Sequence, residues 1–176
     1  MRRDTSPLSR GPVPVQIGGR TLLLAWRPAA EWTTVQAEMD VLGFLSDEDR
    51  ALVGRMILNG TVGSDNVVRA VHGVLETVTG RRWWEGHRLL AMSVQPEALG
   101  HLTLAGVDPW QRSAYEWCAA TYALYTKHAD EKERLKFDFQ LSIPPRGYED
   151  DWATDGGDDP EAVEKAMAGW MVTDGR

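Results

Sequence analysis

The chain has 176 residues, 43% of them apolar, a share that supports one globular core of ordinary size. Its 26 acidic and 19 basic side chains leave a net charge of −7, and residues 149–176 carry all of it, with nine acids against Lys165 and Arg176, so residues 1–148 are neutral and lack the basic excess of a phosphate-tracking surface. The single cysteine, Cys118, excludes an internal disulfide and a thiolate-rich metal cluster, and no apolar run approaches the roughly 20 residues that span a bilayer.

Residues 1–12 are polar and hold Pro7, Gly11 and Pro12, which reads as a disordered arm. No apolar h-region follows Arg2-Arg3, so no secretory signal is expected and a cytoplasmic location is the simplest reading. Val13 to Trp26 reads as a β-hairpin. Val15 and Ile17 alternate with polar or turn residues, and Gly18-Gly19 supplies a two-residue turn.

From Pro28 the period turns helical. Trp32, Val35, Met39 and Leu42 recur at spacings of three and four, and Gly43 ends the stripe. Ser46 followed by three acids starts the next helix, with Leu52, Val53, Met56 and Ile57 on its apolar face and Asn59-Gly60 as its stop. A third helix from Ser64-Asp65 carries Val67, Val71, Val74, Leu75 and Val78 and closes at Thr79-Gly80. Arg81 to Ser93 forms a fourth, with Trp83, Trp84, His87, Leu90 and Ala91, and Pro96 opens a short fifth through Leu104.

Asp108-Pro109 reads as a cap and first turn of a helix running to about Ala129. Trp110, Ala114, Trp117, Thr121, Leu124 and His128 form one stripe, and Tyr115, Cys118, Tyr122 and Tyr125 an adjacent one. Two neighbouring stripes predict the central helix of the fold, buried over more than half its circumference. Glu131 to Leu141 is read as a last helix, stopped by Ile143-Pro144-Pro145. The reading is therefore mainly α: a helical body over 13–145, of five to six helices with a short N-terminal hairpin, and a flexible acidic tail over 146–176 with a short helix at 160–171.

Chemistry-bearing motifs are scarce. The chain holds no GxGxxG, Walker A, HExxH or GxSxG string, and its four histidines fall on four different predicted elements. Cys118 sits mid-helix, away from the helix N-terminus or cationic neighbour that activates a thiolate. No enzymatic activity, cofactor or metal is expected. Glu85, Asp108 and Glu116 are acids that a fold could gather for catalysis, but no pair of them has a diagnostic spacing.

Candidate partner-binding residues are Trp83, Trp84, Trp152, Trp170 and Met171. Trp83 and Trp84 point about 100° apart on a helix, so one can anchor the core while the other packs at the rim or serves an interface. Trp152, Trp170 and Met171 punctuate the acidic tail, which suits a segment that folds on a partner. The same tail can also act as a solubilising appendage only.

Several strings together resemble the tail assembly chaperones of long-tailed (siphovirus-type) bacteriophages and prophages of actinobacteria. They are Ile17-Gly18-Gly19-Arg20-Thr21, then a Pro and the Trp32-led helix. Gly80-Arg81-Arg82-Trp83-Trp84-Glu85 leads into Arg88-Leu89-Leu90, and Gly106-Val107-Asp108-Pro109 follows. Trp117-Cys118-Ala119-Ala120-Thr121-Tyr122-Ala123-Leu124 comes next, and Ile143-Pro144-Pro145 precedes the acidic, Trp-containing end. The resemblance covers roughly residues 13–152 and its motifs are packing and capping features.

It implies a helical, non-enzymatic protein made during virion assembly in the host cytoplasm. Such chaperones bind the tape measure protein, keep it soluble, help recruit tail tube subunits and are typically absent from the mature virion. The family often also makes a longer frameshifted form, of which this chain would be the shorter partner. No nucleic-acid or membrane partner is implied, and a homo-oligomer stays open. Competing readings are a head–tail connector or tail completion protein that persists in the virion, and a small acidic regulatory binding protein.

Overall fold

The computed structural model describes residues 10–35 and 37–148, which are mainly helical with one antiparallel hairpin. Strands β1 (Val13–Ile17) and β2 (Arg20–Leu24) pair in the register Val15↔Leu22 and Ile17↔Arg20. Gly18 and Gly19 take φ of 57° and 75°, the left-handed pair that a tight two-residue hairpin turn needs. A side chain at Gly18 would also collide with Met56 and Val62, so the turn sits directly on the body. Val15, Ile17, Leu22 and Leu24 are buried, and β1 packs on the third helix. That packing stabilises a two-stranded sheet that would be marginal alone.

Seven α-helices and one 3₁₀ segment follow among the described residues: α1 (Ala29–Trp32), the 3₁₀ segment (Glu38–Phe44), α2 (Asp47–Leu58), α3 (Ser64–Thr79), α4 (Trp83–Ser93), α5 (Pro96–Leu104), α6 (Ala114–Thr126) and α7 (Glu131–Ser142). Ser46 Oγ accepts from the Asp49 amide at 3.1 Å and starts α2 as expected. Gly80, at φ 67°, ends α3, and Ile143 ends α7 before the two prolines.

Two helix boundaries differ from expectation. The helix expected from Pro28 to Leu42 is instead the single turn α1, a short link and the 3₁₀ segment. The Thr33 and Thr34 hydroxyls donate to the Ala30 and Glu31 carbonyls at 2.8 and 2.7 Å, a local alternative to helical hydrogen bonding. Trp32 and Val35 are buried, Met39 is exposed, and Gly43 lies inside the 3₁₀ segment rather than ending a helix.

The helix expected from Pro109 begins only at Ala114. Asp108 Oδ1 accepts from the Trp110 amide at 2.9 Å, which bends residues 108–112 into a turn. That turn serves α1, since the Ala29 and Ala30 amides donate to the Arg112 and Pro109 carbonyls at 2.8 and 3.1 Å. These are first-turn donors that have no partner inside their own helix. Ser113 and Glu116 then form a capping box that starts α6. Trp110, left outside the helix, is 66% exposed.

α6 is central: it packs against α1, α3, α4, α5 and α7. Ala114, Trp117, Cys118 and Thr121 form its buried face, whereas Tyr125 and His128 are exposed, so burial covers less of the circumference than two full stripes would require. Trp117 Nε1 donates to Ser93 Oγ at 2.7 Å, and Ser93 in turn donates to the Leu90 carbonyl. Gly86 lets α4 approach α3, because a Cβ there would strike Thr79. Among the described residues no helix is long and apolar enough to cross a membrane.

Candidate binding groove

Helix α7 is largely charged and buries only Leu141, and the structure shows what holds it. Asp130 and Glu133 form a capping box at its start, with bonds of 2.8 and 3.0 Å. At its end Arg88 Nη1 donates to the Gln140 and Leu141 carbonyls at 3.0 and 2.9 Å, and Trp84 Nε1 donates to the Ser142 carbonyl at 3.2 Å. These α4 side chains satisfy carbonyls that the helix end leaves free. Halfway along, the Tyr122 hydroxyl donates to Asp138 Oδ1 at 2.8 Å.

Between α5, the end of α6 and α7 lies an open groove of ≈ 700 Å³. Ala98, Leu124, Tyr125 and Phe137 give it an apolar surface, with Tyr125 stacked on Phe137 at 5.8 Å and 13°. Glu97 and Glu133 contribute negative charge, Lys127 and Lys136 positive charge, and His101 and His128 complete the lining. An apolar surface interspersed with charges of both signs suits the apolar stripe of an amphipathic helix flanked by polar residues.

Beside the groove, the Arg81 guanidinium lies 4.7 Å over the Tyr122 ring and 3.8 Å from Glu85. Burial pushes the Glu85 carboxyl up, against the opposing pull of Arg81 and Arg82. The Tyr122 phenol is also raised, first by burial and then by Asp138. Glu116 is lowered, first by the Ser113 amide that donates to it at 2.9 Å. Burial lifts the Cys118 thiol to about 12, so it is an inert core side chain whose S–H points at the Gly86 carbonyl.

The expected partner-binding residues do not meet in this groove. Trp83 and Trp84 are both buried, packed edge to face at 5.8 Å, so neither sits at an exposed rim. His72 stacks on Trp83 at 3.8 Å, and Tyr148 packs edge-on against both rings. The Trp pair thus ties α3, α4 and the chain after α7 together. Trp152, Trp170, Met171 and the helix expected at 160–171 lie outside the described residues. Arg10, from the expected arm, donates to the Gln111 carbonyl at 3.0 Å and lies over the Trp26 ring.

Of the three acids considered for catalysis, Glu85 faces Arg81, Asp108 holds the Trp110 turn, and Glu116 closes the α6 cap. Among the described residues no three His, Cys, Asp or Glu side chains gather as metal ligands. The sequence does not mark this groove, because Leu124 and Tyr125 belong to stripes that predict burial. The available signal is Phe137, one of two aromatics in a largely charged helix.

Comparison with known protein families, with curated proteins and with solved structures finds no match to this chain.

Proposed function

We propose that this chain is a non-enzymatic assembly chaperone of the phage tail type. It holds a helical segment of the tape measure protein in the α5–α6–α7 groove, keeps that client soluble and helps recruit tail tube subunits. It acts in the host cytoplasm and leaves before the virion is complete. The observation that carries this reading is the groove itself, whose lining combines apolar Leu124, Tyr125 and Phe137 with Glu97, Glu133, Lys127 and Lys136. A long helical client offers repeated amphipathic turns, and a groove of this kind covers one such stripe without requiring a unique sequence.

The acidic segment 149–176 adds long-range attraction toward a basic client or tube surface. Trp152, Trp170 and Met171 are its aromatic and thioether anchors for that partner. The test is co-expression with the tape measure protein of the same genome, followed by affinity capture. Wild type should bring the client down in soluble form. Tyr125→Glu, at a residue 40% exposed and outside the core, should leave the fold intact and lose the client. Retention of the client at wild-type yield by Tyr125→Glu would remove the groove from the account.

A further inference from the structure

We infer that α7 is a latched lid: it undocks from α4 and α6 as one unit while the rest of the fold stays closed, and its undocking takes the groove apart. That this would release a client rests on the function proposed above. The undocking itself does not, and it is measured on the chain alone.

Little apolar surface holds α7 down. Glu131 to Lys136 are exposed, Phe137, Asp138 and Phe139 are half-buried, and Leu141 alone is buried. By contrast α3 buries Val67, Val71, Val74 and Leu75, and α4 buries Trp83, Trp84, Leu89 and Leu90. Apolar burial is the main term that closes a fold, so an element with one buried side chain opens at far lower cost than the whole. α4 and α6 pack on each other and on α3 and α5, so they keep their places without α7.

The polar ties of α7 to the body are few and gather toward its C-terminal end. Among the described residues, Tyr122 reaches Asp138, Arg88 reaches the Gln140 and Leu141 carbonyls, and Trp84 reaches the Ser142 carbonyl. The first turn closes on itself instead: Asp130 and Glu133 cap each other, and the Arg134 amide donates to the Asp130 carbonyl at 2.9 Å. Arg88, half-buried on α4, is therefore the catch. The carbonyls it holds belong to the helix end, and on opening water can take over both them and the guanidinium.

The chain on either side permits the movement. Lys127 and His128, in the link from α6, are exposed, and residues 143–147 after α7 are not helical. Thr126 is buried and Tyr148 packs on His72 and Trp83, so the moving segment lies between two fixed points. A 12-residue helix is marginal alone, so α7 loses its helical hydrogen bonds once it leaves the body. It supplies Glu133, Lys136, Phe137 and Gln140 to the groove, and its departure removes that side of the lining.

The test is native-state amide hydrogen exchange of the full chain at low urea concentrations. The amides of Leu135 to Leu141 should exchange with little dependence on urea, on the order of a hundredfold faster than those of Cys118 to Tyr122 in α6 once intrinsic rates are divided out. Arg88→Ala should speed the α7 amides on the order of thirtyfold, through loss of a charged donor. Val15→Ala, in the hairpin that packs on α3, should speed the α6 amides and leave the α7 rates unchanged. These rates are read without a client, so the lid and the client reading fail separately. Wild-type α7 amides as slow and as urea-dependent as those of α6 would overturn the inference. So would equal acceleration of both helices by Val15→Ala, or an Arg88→Ala chain whose α7 amides exchange at the wild-type rate.

Discussion

His72 lies flat on Trp83, with ring centroids 3.8 Å apart and planes 2° from parallel, and Tyr148 closes the pair edge-on. The body therefore extends to Tyr148, past the boundary at 145 that the two prolines suggest. A chain ending at Tyr148 should melt close to the full-length protein. A chain ending at Gly147 loses two aromatic contacts, each of about 0.5–1.5 kcal/mol, and should melt several degrees lower. Equal melting of the two truncations would show that the Tyr148 contacts carry no stability.

Trp117 is 1% exposed and joined to Ser93 by a buried hydrogen bond of 2.7 Å. Trp117→Ala should cost about 3–5 kcal/mol, the cost of truncating a buried aromatic. Trp117→Phe retains most of the packing but strands the Ser93 acceptor, and should cost about 1–3 kcal/mol. Urea denaturation measures both, and a midpoint near wild type for Trp117→Ala would show the central stripe to be misread.

Ser113, not Asp108, starts α6, so Ser113→Ala should cost about 1 kcal/mol. Glu116 gives that cap a pH dependence. Its carboxyl is held below the ordinary value by the Ser113 amide, so the folded state releases the proton more readily than the unfolded state. Its contribution is present above the ordinary carboxylate pKa and is lost as pH falls through the lowered folded value. The stability gap between wild type and Glu116→Gln should therefore close on acidification. A gap that widens toward low pH would contradict this sign.

Cys118, with its thiol raised to about 12 and its side chain buried, should resist thiol reagents at neutral pH. Labelling should proceed only through opening of the fold and accelerate in step with added urea. Rapid stoichiometric labelling of the native protein would place the thiol at the surface.

Much of this architecture is legible in the residues. The hairpin follows from Gly18-Gly19, α2 and α3 from apolar stripes bounded by start and stop residues, α5 from the opening Pro96, and the end of α7 from Pro144-Pro145. The failures occur where a local side chain competes with a helical pattern. Thr33 and Thr34 turn their hydroxyls onto the backbone and end α1, although Trp32 and Val35 continue the stripe. Asp108 has the form of a cap but makes a turn, and the Ala29 amide that its neighbour Arg112 accepts is distant in the chain. Long-range partners of this kind leave no periodic trace. The groove was hidden for the same reason, because the exposure of Tyr125 depends on where α7 is pinned by Arg88 and Trp84.

The central claim is that the α5–α6–α7 groove holds a helical client. It is tested most directly by capture of a co-expressed tape measure protein, at low and high salt, on wild type, Tyr125→Glu and a chain ending at Tyr148. Wild type should retain the client at both salts. Tyr125→Glu should lose it, and the shortened chain should hold it more weakly and with less dependence on salt, since the acids of 149–176 supply the screened attraction. Absence of client capture by folded wild type, or undiminished capture by Tyr125→Glu, would contradict the account.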